Sequence, residues 1–588
     1  MDPRRLPAIL FVLVMLAACG AGGGGAPASG ATSDDAAAAA AAAGAAGAGA
    51  AAAGGAAIVP GEIAMPSPTL RFLTIEWPFA GDANRDATVA LRFRATGTSV
   101  WRSGMPLRRV AAGANLGFAW TSRFSGSLFD LEPDTEYEVE LSLADPDGGS
   151  IVRSARARTR PVPGPMAGAP VRAATPATLG TVLRGAQPGD VIELAAGTYA
   201  WPDWNANGTP GKPIVVRSAQ VAVIQGEIGL FSRSHVHLDG LVVNGRIRFN
   251  GSSHVSITRC TVNASATYGG DAIVAYTRAE NAYIADNVVN GLTPWTESAF
   301  GASGANLGEG ILVTGPGHVI EHNRVRGFRD GISLMEETEA VDQHSIDIVG
   351  NDVSETADDA IEADFCRHNC RVVRNRLTNT FVAMSSQPSL GGPTWFVRNV
   401  AYNVAHVAFK LYRGSVGDQL IHNTVVKGGD AFAMYPGAPV ASLFSRNNLF
   451  LGGPGGIWNG YGSGRGDVVA LGDVATGSSS LDHDALGSTL GTFQGTLGTV
   501  RFASLEAMRA TTGERNAQRV DLSVFAAGVA LPTLATSVYA PPDLRPGAGS
   551  AVAGAAEPLA NIGDAEGVAR PSIGAYEPGA ALPVYGPR

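Results

Sequence analysis

Apolar residues in this chain fall in short alternating runs separated by polar turn clusters, not in the 3.6-residue stripe of an amphipathic helix. Between about residues 60 and 160 the runs read like Val89-Ala90-Leu91-Arg92-Phe93, which predicts a small antiparallel β-sandwich. Further on, the runs repeat. Asn287, Asn323, Asn351, Asn375, Asn399, Asn423 and Asn447 take the same place in successive units, and the last four steps are all 24 residues. A period in the low twenties, with about three short strands per unit, predicts a parallel β-helix; paired helices need a longer repeat. Identical amides stacked ~4.8 Å apart can hydrogen-bond as a ladder, so these asparagines read as structural. Cys260 falls in that column one unit before Asn287, as a buried and inert thiol.

A second strand column aligns through Ile273, Ile311, Ile332, Ile361, Phe409, Phe432 and Ile457. If these point inward, alternation turns Ser333, Glu362, Asp364, Met384, Ser386, Lys410, Tyr412 and Tyr435 outward. The unit between Asn287 and Asn323 carries an insertion, Leu292 to Leu307, whose Trp295 reads as part of a substrate-binding wall. Glu336, Glu337 and His344 read as loop polars.

The segment Leu131-Glu132-Pro133-Asp134-Thr135-Glu136-Tyr137-Glu138-Val139 resembles the tyrosine corner of fibronectin type III domains, which implies a spacer over residues 60–162. Ala186-Gln187-Pro188-Gly189-Asp190-Val191-Ile192 and Gly197-Thr198-Tyr199 resemble the entry of β-helix polysaccharide enzymes, a capping helix and then a first strand. Arg570-Pro571-Ser572-Ile573-Gly574-Ala575-Tyr576-Glu577 resembles the closing segment of secreted β-helix proteins and is expected to cap the open end. The expected fold is therefore all-β: a right-handed parallel β-helix over 163–460 and an extension and cap over 461–588, preceded by the sandwich.

Composition agrees with turn-rich β structure: 76 glycines, and only 16% of residues charged. A net charge of -9 with no basic stripe argues against nucleic acid as a partner. Arg4, Arg5 and the apolar run Leu6 to Ala18 form a secretory signal (1–18), too short to span a bilayer. Leu16-Ala17-Ala18-Cys19 resembles a lipobox, which implies lipidation of Cys19, and Gly20 after it implies outer-membrane sorting, periplasmic or cell-surface facing. Residues 19–59, mostly Gly and Ala, read as a tether. The chain is expected to act as a monomer.

Candidate chemistry lies in Asp358-Asp359-Ala360-Ile361-Glu362-Ala363-Asp364 and, two rungs up, Phe409-Lys410-Leu411-Tyr412-Arg413. Clustered carboxylates repel unless protonated or neutralised, and oxygen-rich sites suit calcium. Asp358-Asp359-Ala360-Ile361-Glu362 and Phe409-Lys410-Leu411 resemble family 9 polysaccharide lyases, with Glu362 where that family has Asp. The resemblance implies calcium at Asp358, Asp359, Glu362 and Asp364, and Lys410 as the base of a β-elimination on an acidic polysaccharide. In that scheme Arg413 lowers the lysine pKa, Tyr412 assists, and Tyr435 and Trp295 bind sugar. A carboxylate-based glycoside hydrolase, an epimerase and a non-catalytic glycan-binding adhesin remain as alternatives. Cys366 and Cys370, in a short polar loop of an exported chain, are expected to form a disulfide; metal ligation with His368 is the other reading.

Overall fold

The computed structural model describes residues 55–218, 220–562 and 567–588; the signal segment, Cys19 and the tether to residue 54 lie outside the described residues. No helix among the described residues is long and apolar enough to cross a membrane.

Two antiparallel sheets form first. Val59–Pro60, Leu73–Ala80, Arg123–Leu128 and Arg108–Val110 make one, and Ile151–Arg158, Glu136–Ala144, Thr88–Ala95 and Arg102–Gly104 the other. Alternation buries Tyr137, Val139, Leu141 and Leu143 of one strand against Leu73, Ile75 and Trp77 across the sandwich. The Tyr137 hydroxyl accepts the Glu132 N–H at 2.9 Å, folding back across the corner. Ile58, inside the segment expected to be tether, is already core.

The sandwich does not stand off as a spacer. The other face of Leu73–Ala80 packs on the solenoid: Arg371, fully buried, donates to Thr74 and Ser127 at 3.0 Å, while Phe72, Met105 and Phe129 pack with Trp395 and Ile421. Thr74 and Glu76, on the face turned away from the sandwich core, are buried in this contact.

From Val171 the chain climbs as parallel rungs. One sheet holds 13 strands, from Val171–Ala174 to Ser480–Asp482, and a second holds 17. The helix Leu179–Arg184 buries Leu179 and Leu183, one turn apart, over the lower end of the core. The amide ladder runs from Asn287 to Asn423 with Nδ2-to-Oδ1 distances of 2.8, 3.0, 2.9, 3.0 and 3.0 Å. At its foot the Cys260 N–H donates to Asn287 at 2.9 Å. Its upper step departs from the expected register: Asn423 donates to Asn448, not Asn447, at 2.9 Å, and Asn448 donates to Asp484 at 3.0 Å. Asn447 sits at φ +60° and bonds the Glu557 carbonyl instead.

The second column holds through Ile273, Ile311, Ile332 and Ile361, and then takes in Met384, which faces the core and not the solvent, before Phe409. Ile457, expected inward, is 72% exposed, and Val469 pairs with Phe432 in its place. The closing string is a strap and not a cap. Ile573 and Tyr576 pack on Val400, Val426 and Leu449, residues that would otherwise leave an apolar stripe outside the solenoid. Gly574 donates to Asn447, Gly586 donates to Gly350, and Arg588 pairs with Asp286 and Glu321, so the tail descends across several rungs.

Candidate active site

The strands Glu309–Val313, Asp330–Leu334 and Asp352–Glu362 stack in parallel with Ile311, Ile332 and Ile361 in register, facing the core. Two residues before each isoleucine stands a carboxylate: Glu309, Asp330, Asp359. Asp271 repeats the pattern before Ile273, and its side chain accepts the Glu309 N–H at 3.0 Å. Between carboxylate and isoleucine sit Gly310 and Gly331, where a Cβ would lie 2.4 and 2.5 Å from a carbonyl oxygen of the next rung. Neither position has room for a side chain. A second column, one residue after each isoleucine, carries Leu312, Ser333, Glu362, Ser385 and Lys410.

All four residues expected to ligate calcium are buried here: Asp358 5%, Asp359 0%, Glu362 8% and Asp364 0% exposed. They join Glu309, Asp330 and Glu336 in three overlapping triples whose oxygens lie within 4.8 Å: Glu309–Asp330–Glu362, Asp330–Asp358–Asp359 and Glu336–Glu362–Asp364. The expected single ligand set is thus divided between two of them.

The triples differ in how they are neutralised. Arg329 Nε lies 3.2 Å from Asp330 and its Nη2 3.7 Å from Asp358, while Lys410 Nζ contacts Asp359 Oδ2. The Asp330–Asp358–Asp359 triple therefore already holds protein cations. Glu336 and Asp364 are bonded to neutral groups, Gln387 Nε2 at 3.1 Å on Glu336, Ser385 Oγ at 2.7 Å and the Gln387 N–H at 2.9 Å on Asp364. Asp364 Oδ2 is buried with no hydrogen-bond partner. The Glu336–Glu362–Asp364 triple is consequently the one whose donors fit a hard divalent cation.

Burial pushes Glu309 up to about 7 and Asp358 up to about 6. It holds Asp330, Glu362 and Asp364 well above the usual carboxylate range, and neighbouring carboxylates add to the effect. For Lys410, burial pulls downward, but Asp359, Asp358, Glu362 and Asp364 outweigh it and keep the ammonium well above its ordinary range. This reverses the expected lowering by Arg413, whose Nη2 pairs with Glu337 at 2.6 Å and whose guanidinium lies over the Phe365 ring.

The aromatic residues also differ from expectation. Trp295 is buried, donating Nε1 to the Ala535 carbonyl at 3.1 Å and packing with Phe300, Phe381 and Val407; no ring face is left for sugar. The insertion is joined to the later chain at Asn459, whose N–H donates to Glu297 at 3.0 Å. Tyr435 packs edge-on against His406 at 4.8 Å and tilts toward Tyr412 at 5.5 Å. Both tyrosines are half-buried, Tyr412 just after Lys410 and Tyr435 one rung later. The Cys366 and Cys370 sulfurs are bonded, with Cα atoms 6.2 Å apart, closing the loop after Asp364.

Glu309, Asp330, Glu336 and Arg329 were not singled out as site residues from sequence. The recurrence Asp271-Ala272-Ile273, Glu309-Gly310-Ile311, Asp330-Gly331-Ile332, Asp359-Ala360-Ile361 is the signal that reveals the acidic column, once the rungs are in register.

Among protein families, the model of the right handed beta helix region matches residues 245–469. Among solved structures, a family 28 exopolygalacturonase of Yersinia enterocolitica aligns over 76% of this chain and 97% of its own, at 10% identity and a TM-score of 0.24. No curated protein matches the chain. The rungs, their parallel pairing and the family match make the central body a right-handed parallel β-helix, and the matched stretch contains every residue of the acidic site from Asp271 to Lys410.

Proposed function

We propose that the protein acts on acidic polysaccharides as a lyase, cleaving uronic-acid polymers by β-elimination, with calcium held at Glu336, Glu362 and Asp364 and with Lys410 as base. The observation that carries this is the column that puts Lys410 on the same outer face as Glu362, two rungs apart, with Asp364 Oδ2 unpartnered beside them. A calcium ion there would neutralise a uronate carboxylate and so acidify the neighbouring C5–H. Lys410 acts as the free amine, which requires that the carboxylates holding it as the ammonium, Asp359 in contact with it among them, be neutralised. Its Nζ then takes the C5 proton, the electron pair forms the C4–C5 double bond, the C4–O bond breaks, and the departing oxygen takes a proton from water. Cation binding at Glu362 and Asp364 cancels two of the four carboxylates that hold the ammonium, so turnover should require the cation.

A hydrolase is the second reading. The observation favouring it is that burial pushes Glu309 and Asp358 up to about 7 and about 6, so each can serve as an acid, beside an Asp359 paired with Lys410. The test is to incubate purified protein with polygalacturonate and alginate, with calcium or with chelator. Calcium-dependent growth of unsaturated-product ultraviolet absorbance supports the lyase. New reducing ends without that absorbance favour the hydrolase, and binding without cleavage leaves a glycan-binding scaffold. The proposal includes anchoring to the outer membrane through lipidated Cys19, motivated by Leu16-Ala17-Ala18-Cys19; an unmodified mature N-terminus in mass spectrometry would overturn it.

A further inference from the structure

Phe365 directly follows Asp364 and is held at φ +51°, in the left-handed region where a bulky side chain crowds its own backbone. It is the only Phe, Tyr or Trp among the described residues with a positive φ. Such a conformation persists only where the surroundings over-determine it.

Part of those surroundings comes from the sandwich. A hairpin formed by Gly113–Asn115 and Phe118–Trp120 reaches over the loop after Asp364. The Phe118 ring meets Phe365 edge-on with centroids 5.6 Å apart, and Ala340, Leu390 and Trp120 complete the apolar cluster around it. The hairpin is fastened to the solenoid independently of that contact. Asn115 Nδ2 donates to the Arg413 and Gly414 carbonyls at 2.9 and 3.1 Å. The Trp120 indole fills a slot between Gly113 and Gly391, where a Cβ on either glycine would come within 2.7 Å of the ring.

We infer that this hairpin is a positioning element of the acidic site: by pressing Phe118 on Phe365 it holds the left-handed turn that aims Asp364 at Glu336 and Glu362. The sandwich is then part of the site's machinery, with Phe118 as a positioning residue. The inference rests on the cation reading above for its consequence, but the turn it describes can be observed without any cation.

The experiment uses the full chain and compares wild type with Phe118→Ala, Phe118→Tyr and, at the exposed hairpin tip, Leu116→Ala. Amide hydrogen exchange over residues 363–369 and calcium titration by calorimetry are both read, with thermal unfolding as a check on the solenoid. Phe118→Ala should speed exchange in that loop about tenfold or more and weaken calcium about tenfold, the scale of lost outer support for a metal ligand, with the unfolding midpoint of the solenoid little changed. Phe118→Tyr should restore both, and Leu116→Ala should change neither. Unchanged loop exchange in Phe118→Ala overturns the inference, as does faster exchange with wild-type calcium affinity. If the wild type binds no calcium while Phe118→Ala still loosens the loop, the cation reading falls and the positioning of Asp364 stands.

Discussion

Two polar stacks climb this solenoid at the same rung spacing, and they resolve the same problem in opposite ways. The amides from Asn287 to Asn448 are fully buried, yet each donates one N–H to the next side chain and the other to a backbone carbonyl, such as Asn375 to Ile348 at 2.9 Å and Asn399 to Val372 at 2.8 Å. An amide both donates and accepts, so a column of them satisfies itself. The carboxylates Asp271, Glu309, Asp330 and Asp359 have only acceptors when ionised, and a column of them cannot. They need protons, Arg329, Lys410 or an added cation. The stack that closes on itself is structure; the stack that needs something from outside is where chemistry can occur.

The largest expected effect separates the two stacks by function. Lys410→Ala should lower turnover at least about a hundredfold while leaving the unfolding midpoint nearly unchanged, checked by initial rates and thermal unfolding on one preparation. Retained turnover would remove Lys410 from the mechanism. Next, an isosteric exchange should act in opposite directions in the two stacks. Asn399→Asp puts a carboxylate oxygen against Asn423 and the Val372 carbonyl, and should destabilise by about 3–5 kcal/mol in urea unfolding. Asp330→Asn keeps the acceptor for the Asp359 N–H and removes one charge from the crowded column, so the cation-free protein should become more stable. If both variants destabilise alike, the carboxylate column is not under repulsion.

A lone buried carboxylate sharpens the contrast. Burial raises Asp418 to about 6, against hydrogen bonds from Ser415 and Ser386 that pull it down. A carboxyl raised in the folded state gives stability that is complete below its unfolded pKa, near 4, and is lost as pH rises through about 6. Relative to wild type, Asp418→Asn should gain up to about 3 kcal/mol between pH 4 and pH 7, read from urea midpoints at several pH values. The smallest effect belongs to the ladder's foot. Cys260 joins the ladder through its backbone N–H, which survives replacement, so Cys260→Ala should cost about 1 kcal/mol. A much larger loss would mean the thiol itself carries the end of the ladder.

The sequence made the asparagine column legible because one residue type recurs at a fixed interval. It failed at Asn447 because two asparagines are adjacent and the rung there is one residue longer, a shift that period alone cannot assign. Asp358, Asp359, Glu362 and Asp364 were visible as a run along one strand. Glu309 and Asp330 lie on other rungs and join the site only once the register is known. The side-chain directions of Trp295 and Arg413 depend on partners distant in sequence, Ala535 and Glu337, so the sequence alone misread Trp295 as a sugar contact and Arg413 as the group that lowers the Lys410 pKa. The sandwich was recognisable from Tyr137, but its docking was not, since nothing in the alternation of Thr74 and Glu76 with Leu73, Ile75 and Trp77 marks that face as buried.

The descending tail changes what kind of folding unit the solenoid is. In a stack where each rung touches only its neighbours, an end can fray without the middle responding. Here residues 574–588 cross the rungs from Asn447 down to Asp286 and work as a suture, so opening any one of those rungs strains bonds to the others. Residues that follow the repeat in sequence thus bind its middle into a single cooperative block.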